Sequence, residues 1–308
     1  PGPSSWKAIV RRLKDVDLKV RDVHTVIVTH SHPDHFGGVR RLADATGGVE
    51  VVAHSAFRNW WAQQADHECS EIHDLDPADL PDASQHTGSP FPGGQTPWGT
   101  RSDFRPQMKR RLLYRFMGSS LARRGMQRFA PPPPTNRVRN GDVMKLAGRE
   151  WFAVHTPGHT LDHLCLHDPE SGVLLSGDHV LPTITPHISG MNSGRDPLRL
   201  FFESLDKVAA LEGVRQVLPA HGHPFHDLTG RVESIKRHHL ERLDVLRRAS
   251  KEIGGPATVE ELSHHLFRPA RWGSMAESET FAHLEHLRLA GEAERHERDG
   301  VLFYEIAS

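Results

Sequence analysis

The stretch His24-Thr-Val-Ile-Val-Thr-His-Ser-His-Pro-Asp-His-Phe-Gly-Gly-Val-Arg40 decides the fold. Val26, Ile27 and Val28 form a β-branched apolar run, which predicts a short buried strand. A loop carrying His30, His32, Asp34 and His35 follows it. Gly37 and Gly38 are expected to allow a tight turn into a helix over 36–46. Imidazoles and a carboxylate at this density are borderline ligands suited to zinc, manganese or iron. Side chains two apart in an extended segment share a side, so His30 and His32 can grip one ion. Asp34 and His35, beyond the kink at Pro33, can face a neighbouring one. With 24 histidines in 308 residues, chance pairs are frequent. Asp34 at its spacing, the strand before and the glycines after are what chance does not readily supply.

Three later stretches bring donors of the same kind. Thr156-Pro-Gly-His159-Thr follows a predicted strand, Trp151–His155. Ser176-Gly-Asp178-His ends the apolar run Val173-Leu-Leu, and Pro219-Ala-His221-Gly-His follows the predicted strand Val214–Leu218. Each donor sits at a strand end or in the adjoining loop, so one rim of a sheet sandwich can gather them.

With His-x-His-x-Asp-His complete at 30–35 and these three stretches in order, the chain resembles the metallo-β-lactamase-fold hydrolases. The resemblance implies an α+β fold, an αββα sandwich, holding two divalent metal ions, zinc before manganese or iron. It puts His30, His32 and His159 on one ion and Asp34, His35 and His221 on the other, with Asp178 bridging. Asp34 and Asp178 are thereby the catalytic carboxylates. Two ions roughly 3.5–4 Å apart can hold a hydroxide between them and clamp the oxygens of a displacement. His163, four residues after His159, is a candidate to orient a ligand from behind. His187, in Thr185-Pro-His-Ile-Ser189, is a candidate for contact with substrate or for supporting a ligand. His179 either supports a ligand or points away along its strand.

Formal charge is −1 and the pI is near 7.3, so nothing in the overall balance points to nucleic acid. No apolar stretch of about 18 residues exists to predict a membrane span. The start shows no apolar leader segment. Cys69 and Cys165 are too few for a disulfide framework, which favours a reducing cytoplasm.

Along the chain, a charged amphipathic helix is expected from Trp6 to Leu13, capped by Ser4 or Ser5. The resembled family usually places several strands before its first metal motif, ending in an Asp-x-Gly turn. Here Pro1-Gly2 resembles the tail of that turn, so either the sequence is truncated, which is the expectation, or part of the first sheet is lacking. A strand is predicted at Val49–Ala53 and a helix at Ala56–Gln64. Residues 66–135 read as an insertion, with a basic helical stretch at 106–128 and a polyproline II return at Pro131–Pro134. Strands follow at Asp142–Leu146, Trp151–His155, His163–His167 and Val173–Ser176, and a helix at Phe201–Leu211. The hydrolase domain is placed at 1–230 and a second domain at 231–308, opened by a long polar helix, Arg231 to Ile253, that Gly254-Gly255-Pro256 breaks.

In the second domain, Thr258 and Glu261 form a capping-box pattern. A helix is predicted at Ser278–Ala290, with Phe281, Leu284, Leu287 and Leu289 inward, and Asp299-Gly300 predicts a hairpin between Glu292–His296 and Val301–Ile306. This order resembles the C-terminal winged helix of some proteins of the same fold. Glu277, Glu279 and Glu285 are expected to make its second long helix a poor surface for phosphate. The expected partner is a small-molecule substrate, with neither membrane nor nucleic acid, and a homo-oligomer is left open.

The resulting expectation is a dinuclear metal-dependent hydrolase of an ester, thioester or lactone, similar to hydroxyacylglutathione hydrolases. Two alternatives stand beside it: a metal-dependent endoribonuclease or phosphodiesterase using the basic helix, and a winged-helix binding protein with an inactive metal domain. Segments inserted between the first two metal motifs often border the substrate channel in the resembled family. One arginine among Arg110, Arg111 and Arg115 is therefore expected to hold an anionic substrate group in a bidentate fork. Replacing all three by Ala should raise KM more than it lowers kcat, because such a contact exists in ground and transition states alike. Steady-state kinetics with metal content measured in parallel checks this; an unchanged KM at normal metal loading places the helix on the solvated surface.

Overall fold

The computed structural model describes residues 3–58, 74–76, 79–80, 96–99, 131–191 and 194–307. They fall into two compact units. The first contains the chain up to residue 58 and the segment 131–142; the second contains the short segments between 74 and 99 and everything from Val143 onward.

The first unit opens with α1 (Pro3–Lys14). The helix starts at Pro3, so Ser4 and Ser5 lie inside it rather than capping it; proline's fixed φ suits a first helical turn. Strand β1 (Thr25–Val28) pairs in parallel with β2 (Glu50–His54), which pairs in parallel with β3 (Asn136–Val138). Parallel neighbours need a crossover, here carried by two short helices, α2 (Pro33–Phe36) and α3 (Val39–Thr46). The expected helix over 36–46 is thus split at Gly37-Gly38. Gly37 and Gly38 form the expected turn while holding ordinary right-handed angles. Left-handed freedom is used at Gly47, whose φ of 77° ends α3. Val28, Phe36, Val39, Val51, Ala53 and Phe57 form this unit's core. Arg137 donates to the carbonyls of Ser55 and Phe57, each at 3.0 Å. Those two residues lie in a turn and a loop where the helix Ala56–Gln64 was expected to begin; the rest of that segment lies outside the described residues, as do Arg110, Arg111 and Arg115.

The second unit is built on a five-stranded sheet in the order β4 (Val143–Leu146), β5 (Arg149–His155), β6 (Leu164–Asp168), β7 (Val173–Gly177), β8 (Gln216–Pro219). Its first three pairings are antiparallel and the last is parallel. Between β7 and β8 runs α4 (Pro197–Ala209), with Pro197 at its first position and Asp196 accepting from the Arg199 amide at 3.0 Å. Strand directions therefore agree for β5, β7 and β8, and their carboxyl ends share one edge. Val154, Cys165, Leu174 and Val217 from the sheet pack against Phe201, Leu205 and Val208 of α4. Burial pushes the Cys165 thiol up to about 12, so it stays protonated and inert.

Helix α5 (Leu228–Ile253) is 26 residues long, which spans about 39 Å. Val232 and Ile235 belong to the sheet's core, whereas Leu243 and Leu246 belong to a second cluster with Trp98, Leu262, Phe281, Leu284, Leu287 and Tyr304. Gly254, at φ 74°, ends the helix. Strand β9 (Ala257–Thr258) leads into α6 (Val259–Leu266), where Thr258 and Glu261 form the expected reciprocal cap. Helix α7 (Ser274–Leu289) precedes the hairpin β10 (Ala293–Arg298) and β11 (Val301–Ile306), and β11 also pairs with β9. Asp299 and Gly300 turn it with φ of 53° and 75°, the paired positive angles of a type I′ turn.

One expectation for this region is corrected. Glu279 and Glu285 are buried, not displayed on a helix surface. Glu285 accepts from Arg288 at 2.8 and 3.0 Å, from Arg295 at 3.3 Å and from the Tyr304 hydroxyl at 2.5 Å. Glu279 accepts from Arg242 at 2.8 Å. Removing one member of such a buried pair costs about 3–5 kcal/mol, because the other charge is left without a counterpart.

Burial pushes His283 down to about 4, well below the ordinary imidazole value of 6.5. Burial would raise the Glu279 carboxyl, but the hydrogen bond from His187 and the charge of Arg242 outweigh it and hold the group at about 2. Between about pH 6.5 and 4 the unfolded chain takes up the His283 proton and the folded chain does not, so stability falls on acidification. Between about pH 4.5 and 2 the stability contributed by ionised Glu279 is lost as well. Urea-unfolding midpoints measured from pH 7 to pH 4 should fall steadily; a midpoint that rises toward pH 4 would contradict the His283 assignment.

Candidate metal centre

In the first unit, His30 and His32 leave the carboxyl end of β1. Pro33 disfavours helical angles in the residue before it, and His32 is extended, with φ −85° and ψ 143°. The segment stays straight long enough for both imidazoles to turn the same way. His30 Nε2 lies 3.1 Å from His32 Nδ1, while His30 Nδ1 lies 3.1 Å from the Thr29 hydroxyl. At Pro33 the backbone enters the short α2, which places the His35 ring 4.0 Å from that of His30. His35 Nε2 is 3.5 Å from an Asp34 carboxylate oxygen. Two ligand atoms about 2.0–2.1 Å from one tetrahedral ion are separated by roughly 3.3–3.4 Å. The spacing of His30 and His32 fits a shared ion to within a few tenths of an ångström.

In the second unit, three loops leave the common edge of β5, β7 and β8 carrying His159, Asp178 and His221. Gly158 has φ 131°, and a Cβ there would stand 2.5 Å from Phe201 of α4, so only glycine lets the His159 loop lie this close to the helix. His159 Nδ1 donates to the His187 carbonyl at 2.7 Å. A carbonyl only accepts, so the proton sits on Nδ1 and the lone pair is on Nε2. That Nε2 is 3.8 Å from one Asp178 carboxylate oxygen, and His221 Nε2 is 3.5 Å from the other. Asp178 thus offers one oxygen toward each of two imidazoles, the arrangement a bridging carboxylate requires.

His163 supports this carboxylate through the backbone. Its Nε2 accepts from the Asp178 amide at 3.0 Å, which fixes the proton on Nδ1; that atom donates to the Thr156 hydroxyl at 2.7 Å. His187 contributes its main chain to His159, and its ring Nδ1 lies 3.1 Å from Glu279. His179 is fully buried, its ring 5.1 Å from that of Phe201, and burial pushes it down to about 3. It packs as a neutral ring rather than presenting a ligand. Sequence reading missed Lys207, which donates to the His155 carbonyl at 2.7 Å and steadies the end of β5. It also missed the role of the Thr156 hydroxyl behind His163; Lys207 belongs to no local motif, and Thr156 stands in the His159 stretch without any spacing that marks its contact.

The donor chemistry and strand-end placement define an α/β protein built to bind divalent metal. The family model described as "Metallo-beta-lactamase superfamily" matches residues 1–252, and the chain belongs to that superfamily. Over 300 residues it is 25% identical to a Bacillus subtilis (strain 168) protein named "Probable metallo-hydrolase YqjP", covering 91% of this chain and 80% of that one. It is 27% identical over 165 residues to an Aspergillus fumigatus protein named "Atrochrysone carboxyl ACP thioesterase", covering half of each. The crystal structure of a metallo-beta-lactamase family protein from Thermus thermophilus is similar with a TM-score of 0.68 at 27% identity, covering 99% of this chain and 86% of that one. The chain is a metallo-hydrolase with the α/β fold of this superfamily, a fold that implies divalent metal ions. Among the described residues, no helix is long and apolar enough to cross a membrane.

Removing the imidazole behind Asp178 tests the arrangement without deleting a donor. His163→Ala should weaken metal affinity about 10–100-fold, the usual consequence of losing a group that orients a ligand. Chelator competition measures it; wild-type affinity would reduce His163 to packing.

Proposed function

We propose that this chain is a dinuclear hydrolase of esters or thioesters. In this reading His30, His32 and His159 hold one divalent ion, Asp34, His35 and His221 hold the other, and Asp178 bridges them. The observation that carries the reading is Asp178, whose two oxygens face two different imidazoles. Zinc is the proposed metal, since imidazole with carboxylate suits it, and iron or manganese would use the same donors. When bound, such ions polarise a carbonyl and lower the pKa of water from about 15.7 to near 7.

The chain's own groups prepare for that chemistry. His187 keeps His159 in the tautomer whose Nε2 can ligate. His163 holds the backbone of Asp178 so that the carboxylate keeps its aim. Support for an acyl substrate comes from the relative named as a thioesterase, which matches half of this chain. Burial of Glu279 and Glu285 takes two acids off the helix surface, while Glu294, Glu297 and Asp299 of the hairpin remain exposed and weigh against nucleic acid. Arg242, Arg288 and Arg295 weigh against it as well, being engaged with the buried carboxylates.

The order β9, α6, α7, β10, β11 supports a winged-helix reading of the C-terminal region with a structural role; the expected boundary near residue 230 falls within α5, whose first half packs in the sheet's core.

The test is a panel of thioesters, esters, lactones, phosphodiesters and RNA against the zinc-loaded protein. Thioester or ester turnover is expected, and Asp178→Ala should lower both metal content and rate, the rate by orders of magnitude. Turnover of RNA or phosphodiesters alone would replace the acyl assignment, and full metal content with wild-type rate in Asp178→Ala would remove the bridge.

A further inference from the structure

The loop segment 187–190 is fastened to α7. The Gly190 amide donates to the Ser278 carbonyl at 3.1 Å and lies 3.2 Å from the Ser278 hydroxyl. The Ser189 and Ser278 hydroxyls are 3.2 Å apart. A Cβ at Gly190 would stand 2.4 Å from the Phe281 ring, so the backbone lies directly on the helix. Between these attachments Ile188 is fully buried. His187, whose carbonyl receives the His159 Nδ1 proton, turns its own ring Nδ1 toward Glu279 Oε2 at 3.1 Å. The other Glu279 oxygen accepts from Arg242 of α5 at 2.8 Å.

These contacts form one chain of directed hydrogen bonds, Arg242 to Glu279, His187 to Glu279, and His159 to the His187 carbonyl. An ionised carboxylate only accepts, so His187 Nδ1 carries the proton in that contact. Glu279 remains ionised inside the protein because His187 and Arg242 together outweigh its burial. The carbonyl that aims His159 is therefore held by a side chain 92 residues further along the sequence.

We propose that Glu279 is a positioning residue for His159, so that helix α7 sets the metal affinity of the hydrolase centre. The inference rests on His159 being a metal ligand, as in the function proposed above. It assigns the C-terminal region a part in the site: without Glu279 the His187 ring loses its anchor, the loop relaxes, and His159 is free to rotate away from its ligating orientation. Groups that orient ligands typically change metal affinity by about 10–100-fold.

The test uses the full-length chain and Co2+ as the probe, whose visible absorption reports ligand geometry. His187→Ala removes the anchored ring but keeps the carbonyl and leaves Glu279 paired with Arg242. Glu279→Gln removes the charge and keeps the shape. Each is expected to weaken Co2+ binding by about 10–100-fold in chelator competition and to shift the absorption band. The double variant is expected to lose no more than the worse single one, because both act through one contact. Tyr304→Phe, which disturbs the same region at Glu285, serves as the control and should lower Tm with Co2+ affinity and band unchanged. Should Glu279→Gln not fold, His187→Ala carries the test alone.

Wild-type affinity and an unshifted band in folded His187→Ala would overturn the proposal while leaving His159 as a ligand. Equal weakening in Tyr304→Phe would overturn it too, by showing a general loss of stability. A wild-type chain that takes up no Co2+ would overturn both this proposal and the functional reading beneath it.

Discussion

Strand direction is the constraint on which the second unit's donors depend. Strands β5 and β7 run the same way because each is antiparallel to β6, and β8 joins β7 in parallel only because α4 returns the chain across the sheet. Three loops far apart in sequence thereby start from one edge. The same logic operates on a smaller scale in the first unit, where parallel β1 and β2 leave His30 and His32 at a carboxyl end. Open α/β sheets commonly bind ligands outside the carboxyl ends of their strands. Loops there can be short and stiff, because the sheet beneath them has already met the entropic cost of ordering.

Stiffness is supplied by groups that touch no ion in the proposed scheme. Thr156, His163 and the Asp178 amide form a relay in which every proton position follows from which partner can only donate or only accept. Gly158 lets the His159 loop press against Phe201 where any side chain would collide. A donor set ordered before an ion arrives loses less freedom on binding it, and in that sense binding is prepaid by the fold.

Local chemistry was legible in the sequence and long-range pairing was not. The strand at Val26–Val28, the Thr258–Glu261 cap and the Asp299-Gly300 turn were all readable, because each depends on residues within a few positions of one another. So were the stretches holding His159, Asp178 and His221, since each follows a recognisable apolar strand. The short strands β3 and β9 carried too little pattern to be seen. Glu279 and Glu285 were misread because an acid on an amphipathic helix ordinarily faces water. Their burial depends on Arg242, Arg288, Arg295 and Tyr304, and no spacing rule connects Glu279 to Arg242, 37 residues away.

Helix α5 gives the second unit an architectural property of its own. Its first half is an internal wall of the sheet's apolar core, and its second half is an internal wall of the cluster around Phe281 and Tyr304. A rod shared by two cores couples their fates: neither can melt while the helix stays intact on the other side without exposing Ile235 or Leu246 to water. The Gly254-Gly255-Pro256 break lies beyond the rod, so a protease cut there would leave both fragments noncovalently clasped. In mechanical terms the C-terminal region is a bolt driven through the unit rather than a bead on a string.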